Sequence, residues 1–320
     1  MRAPLVILAL SVFGCGDAPE TPTSGPSLVP ITLALNWVPE PEFGGYYEGL
    51  LSGIYKDAGF DVTILPGGPD APTLELLATG QAQVAIAAGE ELLVRRHKGI
   101  EAVAIWPALQ LNPAGLMTHA EGPKTFEEIQ GGRVAIGVGS ALHSYLWRRF
   151  GWEGKVEAVP YGGAIGPFLA DKALIQQAYI TSEPCLAEAQ GVKVNFLRAA
   201  DAGWNPYGAV VTVADPPPPW AAEFARATQR AWESYMKDPV RANAEIARLN
   251  DLVSPSVLGC VSEAQAPFVT GTDGLGMMTQ ARWDATASTL VELGLIPAGS
   301  SADGAWRLLH TDAPAAPPAN

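Results

Sequence analysis

Cysteine, histidine and positive charge are all scarce in this chain, and each scarcity removes a class of function. Only Cys15, Cys185 and Cys260 occur in 320 residues, too few for a disulfide framework or a thiolate metal site. One disulfide between Cys185 and Cys260 remains open in an oxidising compartment. The four histidines, at 97, 119, 143 and 310, show neither HExxH nor close metal-ligand spacing. Twenty Lys and Arg stand against 33 Asp and Glu, a net charge of −13, with no continuous basic run. That composition offers no surface for nucleic-acid phosphates. It leaves room for a local anion site at a helix N-terminus. No internal repeat and no long linker interrupt the body. Apolar residues are plentiful, at 48 %, enough for one large domain or two small lobes.

Residues 1–14, MRAPLVILALSVFG, carry one early positive charge, Arg2, and then an apolar run too short to span a membrane. They read as a signal peptide. The run ends at Val12-Phe13-Gly14-Cys15, which resembles a bacterial lipobox; there the cysteine is lipidated and becomes the mature N-terminus. Residues 16–30, GDAPETPTSGPSLVP, are polar and rich in Pro, Gly, Ser and Thr, so residues 15–30 are expected to be a lipidated Cys15 and a flexible tether. The tail over 312–320 is expected to be disordered.

From residue 31 strand-like runs alternate with helical ones. ITLALN, DVTIL (61–65), AQVAIAA (82–88) and EAVAIW (101–106) form a first series. RVAIGV (133–138), KVEAV (155–159), QQAYI (176–180) and VKVNFL form a second, and YGAVVTVA (207–214) returns from it. Long helical patterns follow. The alternation argues βαβ units and α/β lobes. Lobe I is expected over 31–112 and 205–311, and lobe II over 113–204.

Ligands in open α/β sheets sit beyond the carboxyl ends of strands. Asn36, Trp37, Glu40, Glu42 and Phe43 follow the first strand, and Glu90 and Glu91 the third. Trp106 and Gln110 follow the fourth; Gly139-Ser140, Thr181-Ser182-Glu183 and Tyr207 mark the second lobe and the return crossing. Flat aromatics and carboxylates suit a small planar ring bearing N–H donors. Helix N-termini also attract acidic residues, so Glu90, Glu91 and Glu183 taken singly read as first-turn residues stabilised by the helix dipole. Trp147, Trp232 and Trp283 fall on amphipathic helical patterns and are expected in the core. GVGSALHS is a weak phosphate-loop signal without a following Lys, and Ser140 with His143 makes no hydrolase triad.

LALNWVPEPEFGGYYEGLLSGIYKDAGFDVTILPGG resembles the opening of periplasmic solute-binding proteins of the thiamine-pyrimidine-precursor group. GQAQVAIAAGEELLVRRHKG, YITSEP and MTQARWDATASTLVELGLI resemble later stretches of the same family, in its order, across residues 31–297. The resemblance implies a two-lobe periplasmic-binding-protein fold (type II-like), two parallel or mixed sheets joined by a two-strand hinge. It also implies an ABC importer, permease and ATPase, as partner; with the lipobox, the chain is expected to be a periplasmic or cell-surface monomer held by lipid at Cys15. No cofactor and no catalysis are implied. Site residues carried over from the motifs are Trp37, Glu90, Ser140, Glu183 and Tyr207; Glu42, Phe43 and Gln110 are added from the strand ends. After Pro39 the chain departs from the pyrimidine binders, with Glu42-Phe43 in place of an Asn-His pair. That change admits a larger flat ligand such as a flavin. Related groups bind riboflavin, sulfonates or nitrate. Pyrimidine-synthesising enzymes on the same fold use a histidine and a cysteine-rich segment that have no counterpart here.

Overall fold

The computed structural model describes residues 27–69 and 71–311. The leader expected over 1–14, Cys15, most of the tether and the tail over 312–320 lie outside the described residues.

β1 (Val29–Ala34) leads through a 3-10 turn (Pro41–Phe43) into α1 (Gly44–Leu51) and α2 (Ile54–Asp57). Then come β2 (Phe60–Leu65), α3 (Thr73–Ala78), β3 (Val84–Ala87), α4 (Gly89–Arg96) and β4 (Ala102–Leu109). After a first crossing follow β5 (Ala114–His119), β6 (Gly132–Ile136), α5 (Ala141–Phe150), β7 (Val156–Pro160) and α6 (Gly166–Ala170). β8 (Ile175–Tyr179), α7 (Glu183–Ala189) and β9 (Val194–Arg198) complete that half. The chain returns through β10 (Ala209–Ala214) to α8 (Ala221–Lys237), α9 (Val240–Leu249), α10 (Pro255–Thr270) and α11 (Gln280–Glu292). β5 and α10 are the two substantial elements that hydrophobic periodicity does not announce.

Two five-stranded mixed sheets result, in the orders β2-β1-β3-β10-β4 and β7-β6-β8-β5-β9. The two orders follow one plan. In each sheet the strand running against its neighbours has just crossed from the other lobe: β10 is antiparallel to β3 and β4, and β5 to β8 and β9. A parallel neighbour needs a long crossover, usually a helix, whereas an arriving segment can pair directly in the antiparallel sense. The crossings therefore double as sheet strands, which fixes each lobe to the hinge.

The core of the first lobe gathers on α8. Trp106, Trp232, Tyr46 and Tyr235 are fully buried there, and Trp147 and Trp283 are buried as well. Each such side chain contributes about 1.5–3 kcal/mol through its burial. The Gly44-Gly45 pair has a packing reason. A Cβ on Gly44 would fall 2.1 Å from the Tyr235 ring, and one on Gly45 would fall 2.3 Å from Trp232. α1 can lie against α8 only where those side chains are missing. Among the described residues no helix is long and apolar enough to cross a membrane.

Candidate functional site

The two crossings lie side by side. The Asn112 amide N–H donates to Asn205 Oδ1 (3.2 Å), and Asn112 Nδ2 donates to the Pro206 carbonyl (3.0 Å). Arg282 on α11 grips both crossings: Nε donates to the Asn205 carbonyl (2.7 Å), Nη2 to Asn205 Oδ1 (2.9 Å), and Nη1 to the Gln110 carbonyl. Its guanidinium sits 4.1 Å from the centre of the Tyr207 ring. A cation over an aromatic face in a partly desolvated place contributes about 0.5–2 kcal/mol. The hinge is thus a compact hydrogen-bonded knot.

In front of it a cleft runs between the lobes. From lobe I it is lined by Asn36, Trp37, Glu40, Glu42, Phe43, Pro69, Leu109, Gly208 and Ala209, and from lobe II by Gly137, Tyr161, Gln177, Ala178, Tyr179, Ser182 and Glu183. Three contacts close it. The Thr181 hydroxyl donates to Glu42 Oε1 (2.5 Å), and the Ser182 hydroxyl donates to Glu40 Oε2 (2.9 Å). The Trp37 and Tyr161 rings lie nearly parallel, 11° apart, with centroids 6.2 Å from each other. Gly163 backs this pair at φ 75°, in the left-handed region, and a Cβ there would meet the Trp37 indole at 3.0 Å.

The electrostatics are one-sided. Among the described residues no Lys, Arg or His lines the cleft, while three carboxylates do. Burial, with the neighbouring Glu42 and Glu183 charges, holds the Glu40 carboxyl well above its ordinary range. Burial also raises Glu42, which the Thr181 hydrogen bond opposes. Glu183 is pushed up to about 7 by burial, although the Tyr161 hydroxyl (2.6 Å) and the Tyr179 amide (2.8 Å) both donate to it. Glu42 is only 6 % exposed, and its Oε2 has no hydroxyl or amide donor among the described residues, only the neighbouring Glu40 carboxyl to share a proton with. An acceptor so placed favours a ligand that brings N–H or O–H groups to it.

The expected site residues divide into two groups. Trp37, Glu42, Phe43 and Glu183 meet in the cleft. Glu90, Gln110 and Tyr207 belong to the hinge and its surroundings instead. Tyr207 is fully buried and accepts the Thr279 amide N–H on its hydroxyl (2.9 Å). Gln110 is 1 % exposed, its amide N–H donates to the Phe268 carbonyl (2.6 Å), and its Nε2 has no acceptor. Burial pushes Glu90 up to about 8, with the nearby Arg282 charge pulling the other way. Ser140 caps α5, its hydroxyl accepting the His143 amide N–H (3.1 Å), and does not line the cleft. Tyr161, Gln177 and Tyr179 line it without having been singled out. Tyr161 follows β7, and the rule that selects residues just beyond strands selects it too.

A profile of the NMT1/THI5-like family matches residues 40–242. Over 92 % of its length the chain is 24 % identical to the riboflavin-binding protein RibY of Chloroflexus aurantiacus, again covering 92 % of that protein. The fold matches the alkanesulfonate-binding protein SsuA of Xanthomonas axonopodis pv. citri bound to MOPS, with a TM-score of 0.66 and 13 % identity, over 88 % of this chain and 99 % of that one. It also matches the periplasmic aliphatic sulphonate binding protein SsuA of Escherichia coli, with a TM-score of 0.62 and 17 % identity, over 85 % and 89 %. The architecture is that of periplasmic solute-binding proteins: two mixed-sheet lobes on a double crossing.

Proposed function

The chain belongs to the NMT1/THI5-like family, and from that premise we propose that it is an extracytoplasmic solute-binding protein of an ABC importer. It takes a small planar heterocycle into the cleft and hands it to a permease and its ATPase. Riboflavin and thiamine pyrimidine precursors are the ligand classes in view. The observation that carries this reading is the pairing of Trp37 and Tyr161 from opposite lobes beside Glu40, Glu42 and Glu183. Aromatic faces from both sides suit a flat ring, and carboxylates at its edge suit its N–H or O–H groups. Closure then places contacts from both lobes on one ligand, so binding energy shifts the population toward the closed form.

Binding rather than turnover is supported by the lining itself. Among the described residues it holds no lysine, histidine or cysteine to act as nucleophile or Schiff-base partner. The lining also argues against a sulfonate as ligand, because an anion entering the cleft would meet three buried carboxyl groups and, among the described residues, no cation. The SsuA likeness is one of fold. The resemblance to RibY and the Glu42-Phe43 replacement both favour a ligand of flavin size. Lipid attachment at Cys15 would hold the protein at the membrane beside its importer.

Thermal shift and titration calorimetry against riboflavin, thiamine, thiamine pyrimidines, taurine and nitrate test this reading. A rise in melting temperature with a planar ring, and recovery of that ring unchanged, is the expected result. Chemical conversion of the ring, or a shift with taurine or nitrate alone, would overturn it.

A further inference from the structure

The one disulfide among the described residues joins the lobes. Cys185 lies on α7 of lobe II and Cys260 on α10 of lobe I, 75 residues apart in sequence and 5.9 Å apart at Cα. Both helices carry functional positions. α7 begins at Glu183, two residues before Cys185. α10 supports the turn that bears Glu42, because Gln265 Nε2 donates to the Pro41 carbonyl (3.1 Å). Toward its C-terminal end α10 is held to the first crossing, where the Phe268 carbonyl accepts the amide N–H groups of Gln110 (2.6 Å) and Leu111 (3.1 Å).

The lever arm follows from helix geometry. Cys260 precedes Phe268 by eight residues, which places the bridge about 12 Å from the crossings along the helix axis. A disulfide accepts Cα separations of about 4.4–6.8 Å, so from the observed value less than ~1 Å of further separation is available. Lobe rotation perpendicular to that arm is then limited to about 5° before helices must deform. Rotation about the arm itself leaves the bridge unmoved. The two crossings act as one pivot, since Asn112 and Asn205 are hydrogen-bonded to each other. A second pivot at the bridge turns a loose joint into an axle.

We propose that Cys185–Cys260 is a positioning pair: it reduces the lobe hinge to rotation about an axis running along α10, and so keeps the Glu42 and Glu183 halves of the cleft in register while the Trp37–Tyr161 pair parts to admit ligand. This goes beyond the binding reading and rests on its hinge. Neither Cys185 nor Cys260 touches the ligand site, and their effect passes through the helices they join.

Three samples of the whole protein test it without any ligand: oxidised, reduced with a phosphine, and Cys185→Ser/Cys260→Ser. Peptide mapping first confirms the bridge in the oxidised sample, and its absence there overturns the proposal. Small-angle scattering then reads lobe opening, and hydrogen exchange checks that each lobe stays folded. We expect a larger radius of gyration once the bridge is gone, while amides of β4, β8 and β10 stay protected. Superimposable scattering from all three samples overturns the proposal whatever happens to the melting temperature, since the bridge is then only a staple. If the variant does not fold, the reduced native chain gives the same reading. Because no ligand enters the experiment, the tether can stand or fall independently of the ligand assignment.

Discussion

Thr181 of lobe II donates its hydroxyl hydrogen to Glu42 of lobe I across the cleft, at 2.5 Å, and only one of the two Glu42 oxygens is satisfied by it. The contact joins the lobes, and the remaining oxygen is left for a visitor. Both facts trace to position: Glu42 sits in the turn after β1, and Thr181 in the turn before α7. Glu42→Gln keeps the shape and the acceptor for Thr181 but replaces the free oxygen with an amide donor. Affinity for a planar ligand bearing N–H groups should fall by about 1–3 kcal/mol, with little change in unliganded stability, as read by calorimetry and thermal melts. Wild-type affinity in this variant would remove Glu42 from the site.

Trp37 and Tyr161 should act as a pair. Trp37→Ala removes one face of the stack, and its loss should weaken ring binding by about 1–3 kcal/mol, part of it from lost contact area. Tyr161→Phe keeps the ring but deprives Glu183 of a donor, so it should cost less, roughly 1 kcal/mol. A double-mutant cycle of Trp37→Ala with Tyr161→Ala on riboflavin or a thiamine pyrimidine, whichever binds, measures the coupling of the two rings. Strict additivity would mean that the two rings do not hold the same ligand.

Stability without ligand should fall as pH rises. The folded value of Glu183, about 7, lies above the ordinary carboxylate range, so the native state binds more protons than the unfolded chain in that window. The protein should therefore be more stable near pH 5 than near pH 8. The loss falls between about pH 4.5 and 7 and amounts to on the order of 3 kcal/mol from Glu183 alone. Glu90, raised to about 8, extends the same trend upward. Melts of wild type and Glu183→Gln across this range check the sign: the variant should show a flatter profile and gain most at high pH.

Arg282 should matter for closure more than for folding alone. Arg282→Lys cannot reproduce the forked grip on Gln110, Asn205 and Pro206, which rests on three separate nitrogens. It should lower the melting temperature and also speed ligand release, measurable by stopped-flow fluorescence of the tryptophans. Release at the wild-type rate would confine Arg282 to a packing role.

Lipid at Cys15 makes a separate prediction from sequence. The mature chain should begin at Cys15 and partition with membranes, and Cys15→Ser should abolish both. Intact-mass measurement of the native protein decides it: an unmodified terminus elsewhere rejects the anchor.

Much of the architecture was legible in the chain because the relevant signals are local. Apolar strand-like runs marked β1 to β4 and β6 to β10, and helical patterns marked α8, α9 and α11. β5 escaped because AGLMTH carries Gly115, chosen for close approach, where a Cβ would fall 2.3 Å from the Leu197 carbonyl oxygen. α10 escaped because Gly259 and Pro267 break its helical texture, and tertiary packing on α7 and α9 holds it regardless. The rule of looking beyond strand ends gathered Trp37, Glu42, Phe43 and Glu183 together with Glu90 and Gln110, and the return crossing added Tyr207. Which of them face the cleft and which face the hinge depends on how two lobes meet, and no local pattern encodes that. The same holds for Tyr161 opposite Trp37, and for Cys185 opposite Cys260. Each partner's environment is set by its own lobe, while their separation is set by the crossings and by Arg282, hundreds of atoms away along the chain. Local periodicity wrote the elements, and the packing of the two lobes decided which side chains share a site.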